Sequence, residues 1–394
     1  MTPPLDLKAA QARLLDLLEP GETLTLPVAD ASGHWLAEPV IARRSQPSKD
    51  LSAMDGYATA GDGPWKLVGE ARAGVPFDQT LSNGLAVRIS TGAQMPLCAD
   101  AILIQENARV EGETLFADTP PTPRYIRRAG HDFASSDTLL EAGTRIGAAQ
   151  IALARAGGLA QVVVHRAPSV AVIEVGDELC AEPAACAPTQ IPAVNGAMLG
   201  EMARRAGAEI ALHGPVADDA DLLVHAIEEA ADASLVVISG GASVGPHDLV
   251  KPALEAAGFA LDFWRVAIKP GKPLLVARRG ALVVLGLPGN PVSSYVTGFL
   301  FMAPAIRKLA GARECLPRGV PLPLGAPLPE GGTRREFLRA NWTEAGVVAA
   351  QVQDSSALRP LGHADVLIDR PAGAPASETG ASVPCHLLEN RAYA

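Results

Sequence analysis

The sequence predicts an α/β multidomain protein whose centre is a doubly wound, mostly parallel sheet. Between about residues 167 and 312, apolar strand-like runs alternate with helical patterns. Strands joined by helices of ten or more residues imply right-handed crossovers and parallel pairing. Short strands broken by glycine and proline come before this region, and a proline-rich stretch with further short strands follows it. We therefore expect an N-terminal α+β scaffold with a β-rich insertion, and a small C-terminal β domain.

The N-terminal region opens with a predicted helix. Apolar residues recur at helical spacing over residues 6–18, and Pro20-Gly21 ends the run. From residue 23 to 118 the pattern changes to short alternating strands, such as 86–90 and 101–105. A proline-rich boundary follows at residues 120–123. A helix over 148–156 and a strand over 160–165 complete the scaffold.

The central region alternates strands and helices much more clearly. We predict strands at residues 169–175, 209–212, 234–238, 274–276 and 282–285. The predicted helices span residues 197–206, 219–231, 247–257 and 292–309. In doubly wound sheets, ligands bind outside the carboxyl ends of the strands. The loops at that edge are therefore the first place to look for a site. The C-terminal region contributes shorter strands, at 347–352 and 366–368.

The composition suits a cytoplasmic protein with a small anionic ligand. The chain of 394 residues is 48% hydrophobic and carries a formal net charge of −10, which argues against nucleic acid or an anionic membrane as the main partner. The five cysteines show no zinc-type pairs, and a reducing compartment is the default for such a chain. The N-terminus lacks a signal-peptide pattern, and no apolar run is long enough to span a membrane.

The loop GLPGNPVS at residues 286–293 is the strongest single motif. It follows a predicted strand and opens into a predicted helix. Asn290 can cap that helix, Pro291 suits its first position, and Gly289 lets the backbone come close to a ligand. The alternative is a rigid turn that binds nothing.

The loop SGGASVGPHD at residues 239–248 has a similar setting. Gly240 and Gly241 would allow close approach of a phosphate, and Ser243 could donate a hydrogen bond. It matches neither a Walker A loop nor a dinucleotide fingerprint. Asp248 falls in the first turn of the next helix, where an acidic residue is stabilising in any case. A functional and a purely structural role are therefore equally compatible with this loop.

The loop KPGKP at residues 269–273 cannot be helical, because two prolines and a glycine interrupt it. We interpret it as a strand-end loop of the same sheet, with Lys269 and Lys272 forming an anion clamp. A solvated surface turn is the alternative.

Several carboxylates are predicted at the same sheet edge. Glu178 ends the first strand of the central region, and Asp218 precedes a helix. With Asp248 they would suit Mg²⁺, which binds through a few carboxylates, water and phosphate oxygens. Asp219 is better explained as an ordinary helix cap.

In their order along the chain, these segments resemble the molybdopterin molybdenumtransferase family, which includes MoeA and the E domain of gephyrin. The likeness spans about residues 5–390. The matching segments are residues 52–58, 90–96, 99–101, 176–179, 239–248, 269–273 and 286–293, with weaker matches at 334–339 and 355–358.

The resemblance implies four domains. They are an N-terminal scaffold of residues 5–44 and 124–166, an inserted β-rich domain of residues 45–123, a molybdopterin-binding, MogA-like α/β domain of residues 167–312, and a C-terminal β domain of residues 313–394. It also implies a homodimer, in which adenylyl-molybdopterin and molybdate react at a Mg²⁺ site to release AMP and molybdenum cofactor. A MogA-like adenylyltransferase and recipient molybdoenzymes are further implied partners.

The matching positions imply roles for individual residues. The catalytic residues would be Asp55, Asp132, Glu178, Asp218, Asp248 and Lys269. The metal ligands would be Glu178, Asp218 and Asp248. The substrate-binding residues would be Thr91, Gly240, Gly241, Ser243, Lys272, Pro288, Gly289, Asn290, Pro291, Ser293, Arg334 and Ser355. Asp55, Thr91 and Asp132 would approach the site from the other subunit.

Two other functions are compatible with the same fold. One is a molybdopterin-binding scaffold or regulator without catalysis, and the other is a nucleotide pyrophosphohydrolase. The retained carboxylates argue against the first, and the β-rich insertion argues against the second. Tungstate is nearly isosteric with molybdate, so the sequence leaves the choice of oxyanion open.

Overall fold

The structure is a computed structural model that describes residues 4–241 and 249–388. The described chain divides into two compact units. One unit comprises residues 25–32 and 38–163, and the other comprises 4–24, 33–37 and the described residues from 164 onward. Within the described ranges, none of the helices has the length and apolar character needed to cross a membrane.

The chain begins with helix α1 (Leu7–Leu15), followed by strand β1 (Thr23–Pro27). Asp6 caps α1, because its carboxylate accepts a hydrogen bond of 3.0 Å from the N–H of Lys8. Leu7, Ala10 and Leu14 are buried on one face of α1 and belong to the largest apolar core. The predicted N-terminal helix is thus confirmed, and it ends three residues earlier than the sequence pattern does.

The unit of residues 25–32 and 38–163 is mostly β structure. Its further elements are β2 (Val40–Ile41), β3 (Leu51–Ser52), β4 (Gly56–Ala60), β5 (Trp65–Ala71), β6 (Leu85–Ile89), β7 (Ala101–Ile104), β8 (Ala108–Glu111), β9 (Thr114–Ala117), β10 (Ile126–Arg127), β11 (Thr138–Leu140) and helix α2 (Ala148–Ala156), with short 3₁₀ turns at Val28–Asp30, Gln105–Asn107 and Pro123–Tyr125. Six strands form one sheet in the order β7-β4-β6-β5-β9-β8. The strands predicted at 86–90 and 101–105 are β6 and β7.

The doubly wound sheet lies in the other unit. After β12 (Gln161–His165), which bridges the two units in sequence, the elements are β13 (Ser169–Val175), β14 (Leu179–Cys180), a 3₁₀ turn (Pro183–Ala185), β15 (Ile191–Pro192), α3 (Asn195–Arg205), β16 (Glu209–Val216), α4 (Ala220–Glu229), β17 (Leu235–Ser239), α5 (Val250–Ala256), β18 (Ala260–Trp264), β19 (Ile268–Lys269), β20 (Leu275–Arg279), β21 (Leu282–Leu287), α6 (Pro291–Thr297) and α7 (Ala303–Leu309).

The sheet has the order β16-β13-β17-β21-β20-β18. The first four strands are parallel, and β20 and β18 are antiparallel additions at one edge. Successive residues of β13 face opposite cores: Val170 and Val172 lie in one apolar cluster, whereas Ala171 and Ile173 lie in the other. Because both faces are covered, the strands are continuous apolar runs, as the sequence shows.

Besides the two-residue strands β14, β15 and β19, two larger elements differ from the predictions for this region. Strand β18 has no counterpart among the predicted strands. The helix predicted over residues 292–309 is interrupted by a π-helical segment, Gly298–Met302, between α6 and α7. Thr297 precedes this segment, and its hydroxyl donates back to the carbonyls of Ser293 and Ser294, at 2.8 and 3.1 Å. Such back-bonding is a known cause of irregular helix geometry.

The C-terminal strands, together with β19, form a third six-stranded sheet. The C-terminal elements are β22 (Val320–Pro323), β23 (Arg335–Thr343), β24 (Gly346–Ala349), α8 (Leu358–His363), β25 (Val366–Arg370) and β26 (Ser382–Leu387). The sheet order is β19-β23-β25-β26-β22, and β24 pairs with β23. The short strand β19, which leads into the KPGKP loop, therefore belongs to this sheet and not to the doubly wound one. The prediction that this loop ends a strand of the doubly wound sheet is wrong.

Candidate functional site

A cleft of about 630 Å³ lies at the carboxyl edge of the parallel strands. It is lined by the residues that follow β13, β17 and β21, and by Ser356 and Leu358 of the C-terminal region. Parallel strands bring their carboxyl ends to one edge, so loops far apart in sequence meet there. The predicted site residues that line the cleft are Glu178, Asp218, Gly240, Gly241, Pro288, Gly289, Asn290 and Pro291.

The GLPGNPVS loop turns sharply from β21 into α6. Asn290 occupies the cap position and Pro291 the first helical position, as predicted, but the Asn290 side chain makes no capping hydrogen bond. Its Nδ2 instead donates to Ser355 Oγ at 3.0 Å, and the N–H of Val292 donates to the Ser355 carbonyl at 3.0 Å. The loop is thereby tied to the C-terminal region. Ser293 is buried and lies outside the lining of the cleft.

The turn after β17 requires glycine at its first position. Gly240 has φ +103°, and a Cβ there would collide with the carbonyl oxygen of Val175. The close approach of the two strand ends therefore depends on this residue. Ser243 and Asp248, which the sequence assigns to the same loop, lie outside the described residues.

Two predicted carboxylates, Glu178 and Asp218, are exposed at the cleft. The N–H of Asp218 donates to Asp177 Oδ1 at 3.0 Å, which ties the loop after β16 to the loop after β13. Asp219 caps α4, because its carboxylate accepts from the N–H groups of Asp221 and Leu222 at 2.9 and 3.0 Å. Its assignment as a helix cap is confirmed. Across residues 4–241 and 249–388, no group of three or more His, Cys, Asp or Glu side chains is arranged to hold a metal ion.

The KPGKP loop contributes Pro273 to the lining of the cleft, whereas Lys269 and Lys272 do not line it. Lys269 Nζ pairs with Glu336 Oε1 at 3.0 Å. Arg334 lies beside the same short strand, where its Nη1 donates to the carbonyl of Ile268 at 3.1 Å. The cation of Lys269 is thus shared with a neighbouring carboxylate, which follows from the placement of β19 in the C-terminal sheet.

The predicted residues of the β-rich unit form a separate group. Asp55 Oδ1 accepts hydrogen bonds from the N–H and the hydroxyl of Thr91, at 2.7 and 3.1 Å. Both residues are exposed. Asp132 is also exposed, and its N–H donates to the carbonyl of Gln46 at 2.9 Å. The structure therefore brings Asp55 and Thr91 together, but records no hydrogen bond from Asp132 to either.

Three further residues that line the cleft are buried, and the sequence assigned no individual role to any of them: Glu174, Asn195 and Ser239. Glu174 Oε1 accepts from the N–H of Asn195 at 2.9 Å. Asn195 Nδ2 donates to Ser239 Oγ at 3.0 Å and to the carbonyl of Gly289 at 2.7 Å. Burial raises the pKa of Glu174, and the N–H groups of Gly196 and Asn195 offset this rise only in part.

A signal for Glu174 was present in the sequence. It is the one charged residue in the strand SVAVIEV, which otherwise has the continuous apolar character of a buried parallel strand. A carboxylate at such a position is seldom tolerated without a partner or a function. Asn195 had a weaker signal, as a polar residue that opens a helix.

The fold and the cleft define a doubly wound α/β protein with a cleft of about 630 Å³ at the carboxyl edge of its sheet. Three family profiles match the chain: the MoeA N-terminal region (domain I and II) over residues 5–158, a probable molybdopterin binding domain over 171–308, and the MoeA C-terminal region (domain IV) over 321–388. The chain belongs to the molybdopterin molybdenumtransferase family, as its sequence predicted.

Individual relatives agree with this assignment. The molybdopterin molybdenumtransferase of Nostoc sp. is 39% identical over 296 residues, which cover 71% of this chain and 68% of the relative. That of Haemophilus influenzae is 34% identical over 319 residues, 79% of each chain. Both relatives are named molybdopterin molybdenumtransferase. The comparisons support this function, and not a scaffold or a pyrophosphohydrolase.

Solved structures share the architecture over nearly the whole chain. A molybdopterin biosynthesis MoeA protein from Pyrococcus horikoshii OT3 superimposes with a TM-score of 0.84 at 24% identity, covering 98% of this chain and all of that one. A second MoeA structure from Pyrococcus horikoshii gives 0.80 at 28% identity, with 99% and 100% covered. The predicted multidomain fold class is thereby confirmed.

Proposed function

We propose that this chain inserts molybdate into adenylyl-molybdopterin and releases AMP in a reaction that depends on Mg²⁺. The observation that carries the proposal is the cleft, where exposed Glu178 and Asp218 meet the Gly240-Gly241 turn at the carboxyl edge of the sheet. Membership of the molybdopterin molybdenumtransferase family supplies the substrate class. In this reaction an oxygen of molybdate or of water attacks the phosphoanhydride between AMP and molybdopterin, so that a new P–O bond forms as the old one breaks, AMP leaves, and molybdopterin takes up the metal.

Cleavage of a phosphoanhydride needs positioning and charge neutralisation more than a covalent nucleophile. Glu178 and Asp218 offer carboxylate oxygens, and one or two carboxylates together with water and substrate phosphates are sufficient for Mg²⁺. The donor type therefore fits the ion, with Asp248 proposed as a third ligand. When bound, the ion would neutralise phosphate charge beside these carboxylates.

Cationic and backbone groups would hold the anionic parts of the substrates. Lys269 and Lys272 are both exposed, and we assign them contacts with the anionic substrates: Lys272 as a binding residue and Lys269, which also pairs with Glu336, as a catalytic one. The remaining residues proposed to shape the binding site are Thr91, Gly240, Gly241, Ser243, Pro288, Gly289, Asn290, Pro291, Ser293, Arg334 and Ser355. The hydrogen bond between Asn290 and Ser355 supports a C-terminal contribution to it.

We further propose that the active form is a homodimer in the cytoplasm. Asp55, Thr91 and Asp132 would then complete the cleft of a second copy. The hydrogen bonds that fix Thr91 to Asp55 support a preformed polar edge on the β-rich unit. A MogA-like adenylyltransferase would supply the substrate, and molybdoenzymes would receive the product.

The test is AMP release from adenylyl-molybdopterin with Mg²⁺, with and without molybdate, by wild type, Asp218→Asn and Asp219→Asn. The neighbouring residue is a matched control, because Asn caps a helix as well as Asp does. We expect Asp218→Asn to reduce AMP release by at least about tenfold, the usual effect of disturbing a metal site. Asp219→Asn should retain it. Equal loss in both variants, or release that is independent of molybdate, would contradict the proposal.

A further inference from the structure

Two cysteine side chains meet beside the cleft. Cys180 lies in β14, Cys186 follows the 3₁₀ turn Pro183–Ala185, and the sequence between the two cysteines is AEPAA. The thiol of Cys180 donates to the carbonyl oxygen of Glu182 at 3.1 Å, and the thiol of Cys186 donates to the same oxygen at 3.8 Å. Two sulfur atoms that reach one oxygen atom are also close to each other.

The two thiols contact each other directly. A hydrogen bond with the Cys180 side chain is the largest of the effects that raise the pKa of the Cys186 thiol to about 11, and burial and the negative charges of Cys180 and Glu182 add to it. Both residues are free cysteines in this structure. A contact between two thiols is the starting point for a disulfide, in which the sulfur atoms approach to about 2.05 Å.

The turn between the cysteines is stiff. Pro183 occupies its first position, and the Glu182 carboxylate caps it by accepting a hydrogen bond from the N–H of Ala184 at 3.3 Å. The N–H of Ala185 donates to the Glu182 carbonyl at 2.9 Å. Because the turn is already formed, little chain entropy is lost when one thiol approaches the other, and their effective concentration is high.

The two thiols differ from the protein's other cysteines in their surroundings. Cys180 and Cys186 are half-buried, and neither is among the residues that line the cleft, so a small oxidant can reach them without competing with a ligand. Cys385 is buried, and its thiol donates to the carbonyl of Val383. Cys385 therefore serves as an internal reference for a thiol that should not react.

The strand that carries Cys180 also belongs to the wall of the cleft. Glu178 and Ile191 line the cleft, and the N–H of Ile191 donates to the carbonyl of Glu178 at 2.8 Å. The carbonyl of Cys180 accepts from the N–H of Ala193 at 2.9 Å. A covalent bond that draws Cys186 onto Cys180 therefore acts on the paired backbone that positions Glu178.

We propose that a small disulfide, such as glutathione disulfide, converts Cys180 and Cys186 into a reversible disulfide, and that this bond lowers the activity of the adjacent cleft. A disulfide in the cytoplasm is usually transient and redox-sensing rather than structural. The effect on activity rests on the proposed function, whereas the disulfide itself does not.

The exchange proceeds in two steps. One cysteine, as its thiolate, attacks a sulfur of the small disulfide, and the displaced small thiolate takes up the proton that the cysteine lost. The second cysteine then attacks the cysteine sulfur of this mixed disulfide and releases the second small thiol, which takes up the second proton. Two protein thiols and one small disulfide thus become one protein disulfide and two small thiols, and two electrons pass to the oxidant.

The first test maps the disulfide without using activity. The reduced protein is incubated with glutathione disulfide, the remaining thiols are blocked with N-ethylmaleimide, and peptides are analysed by mass spectrometry. We expect the peptide that contains both cysteines to lose two hydrogen atoms, and dithiothreitol to restore them, while Cys385 stays a thiol. Two blocked thiols in that peptide, or mixed disulfides without an internal bond, would overturn the proposal.

The second test measures the effect on the cleft. We expect oxidation to reduce AMP release from adenylyl-molybdopterin by about tenfold, since a displacement of about 1 Å at a site can cost about 100-fold. Reduction should restore the activity. The matched control is the double variant Cys180→Ser with Cys186→Ser, whose hydroxyls can donate to the Glu182 carbonyl as the thiols do. It should be as active as reduced wild type, with or without the oxidant.

Two results would show that the pair does not control the cleft. One is a double variant that is as sensitive to the oxidant as wild type, and the other is a mapped disulfide that leaves AMP release unchanged. The proposed function is tested separately by reduced wild type. If reduced wild type shows no molybdate-dependent AMP release while the disulfide forms, the proposed function fails and the disulfide site stands. If reduced wild type turns over but no internal disulfide forms, only this inference is wrong.

Discussion

Two buried carboxylates, Glu174 at the cleft and Asp369 in the C-terminal sheet, show how the partner of a carboxylate determines its pKa. Glu174 is 8% exposed and Asp369 is 4% exposed, so both are buried to the same degree. The pKa of Glu174 is raised, because burial outweighs the hydrogen bonds from Gly196 and Asn195. Burial also acts to raise the pKa of Asp369, but the hydrogen bonds and charge of Arg335, with help from His386, lower it overall.

The difference lies in what each carboxylate faces. Arg335 binds Asp369 through two hydrogen bonds of 2.6 Å each. The guanidinium therefore compensates the charge of the carboxylate within the C-terminal sheet. In the part of the chain that the structure describes, Glu174 accepts from the backbone N–H groups of Asn195 and Gly196, at the start of α3. A buried carboxylate whose charge is compensated by a cation is typical of a structural pair, whereas one with a raised pKa beside a cleft is typical of a functional site.

The largest effect should come from breaking the compensated pair. Arg335→Met would remove the guanidinium that binds the buried carboxylate of Asp369 and leave the ring of His386, 3.4 Å away, as its neighbour. Removal of one partner of a buried pair costs about 3–5 kcal/mol. Chemical denaturation monitored by circular dichroism would measure the loss in the free energy of unfolding.

The matched control is the double variant Arg335→Met with Asp369→Leu. Replacing both partners by apolar side chains is often neutral or stabilising, because no uncompensated charge remains. The double variant should therefore recover most of the loss. A double variant as unstable as Arg335→Met would mean that packing, and not the buried charge, sets the stability of this sheet.

A smaller loss is expected at the cleft. Glu174→Ala removes the acceptor for the N–H groups that begin α3, and unsatisfied buried groups of this kind cost about 1–3 kcal/mol. Glu174→Gln keeps one acceptor oxygen and should be close to wild type in stability. Denaturation of both variants measures the difference. If Ala and Gln lose the same amount, Glu174 does not hold α3 through hydrogen bonds.

The architecture of the doubly wound domain could be predicted because each of its strands and helices has a pattern that is visible within a short segment of the sequence. Continuous apolar runs such as SVAVIEV fix buried strands, and the helical spacing between them fixes the crossovers. The cleft followed from the rule that loops at the carboxyl edge meet. Glu178, Asp218 and the Gly240 turn were placed in this way.

Other features depend on contacts between distant segments. Lys269 follows a two-residue strand, and a strand so short carries no pattern that assigns it to the C-terminal sheet. Asn290 is a residue type that often caps helices, but its side chain donates a hydrogen bond to the hydroxyl of Ser355 and does not cap α6. Glu174 lies in a strand whose other residues are almost all apolar, so the sequence pattern predicts a buried strand and gives no separate indication of what its carboxylate contacts.

The smallest expected effect is a difference between Glu174 and Asp369 in how each makes the free energy of unfolding depend on pH. The pKa of Glu174 is raised above its ordinary value of 4.5, so the folded protein holds this proton more tightly than the unfolded chain does. Its contribution to stability is complete below pH 4.5 and is lost as the pH rises through the folded pKa. Glu174→Gln does not titrate, and it should therefore gain on wild type as the pH rises above about 4.5.

Asp369 should behave in the opposite way. Its pKa is lowered from 3.8, so its contribution is present above pH 3.8 and is lost as the pH falls through the folded pKa. Asp369→Asn should therefore lose less on acidification than wild type does. Unfolding curves for wild type and both variants between about pH 3 and pH 8 would show stability differences of opposite slope. Slopes of the same sign would mean that the backbone N–H groups at α3 compensate Glu174 as fully as Arg335 compensates Asp369.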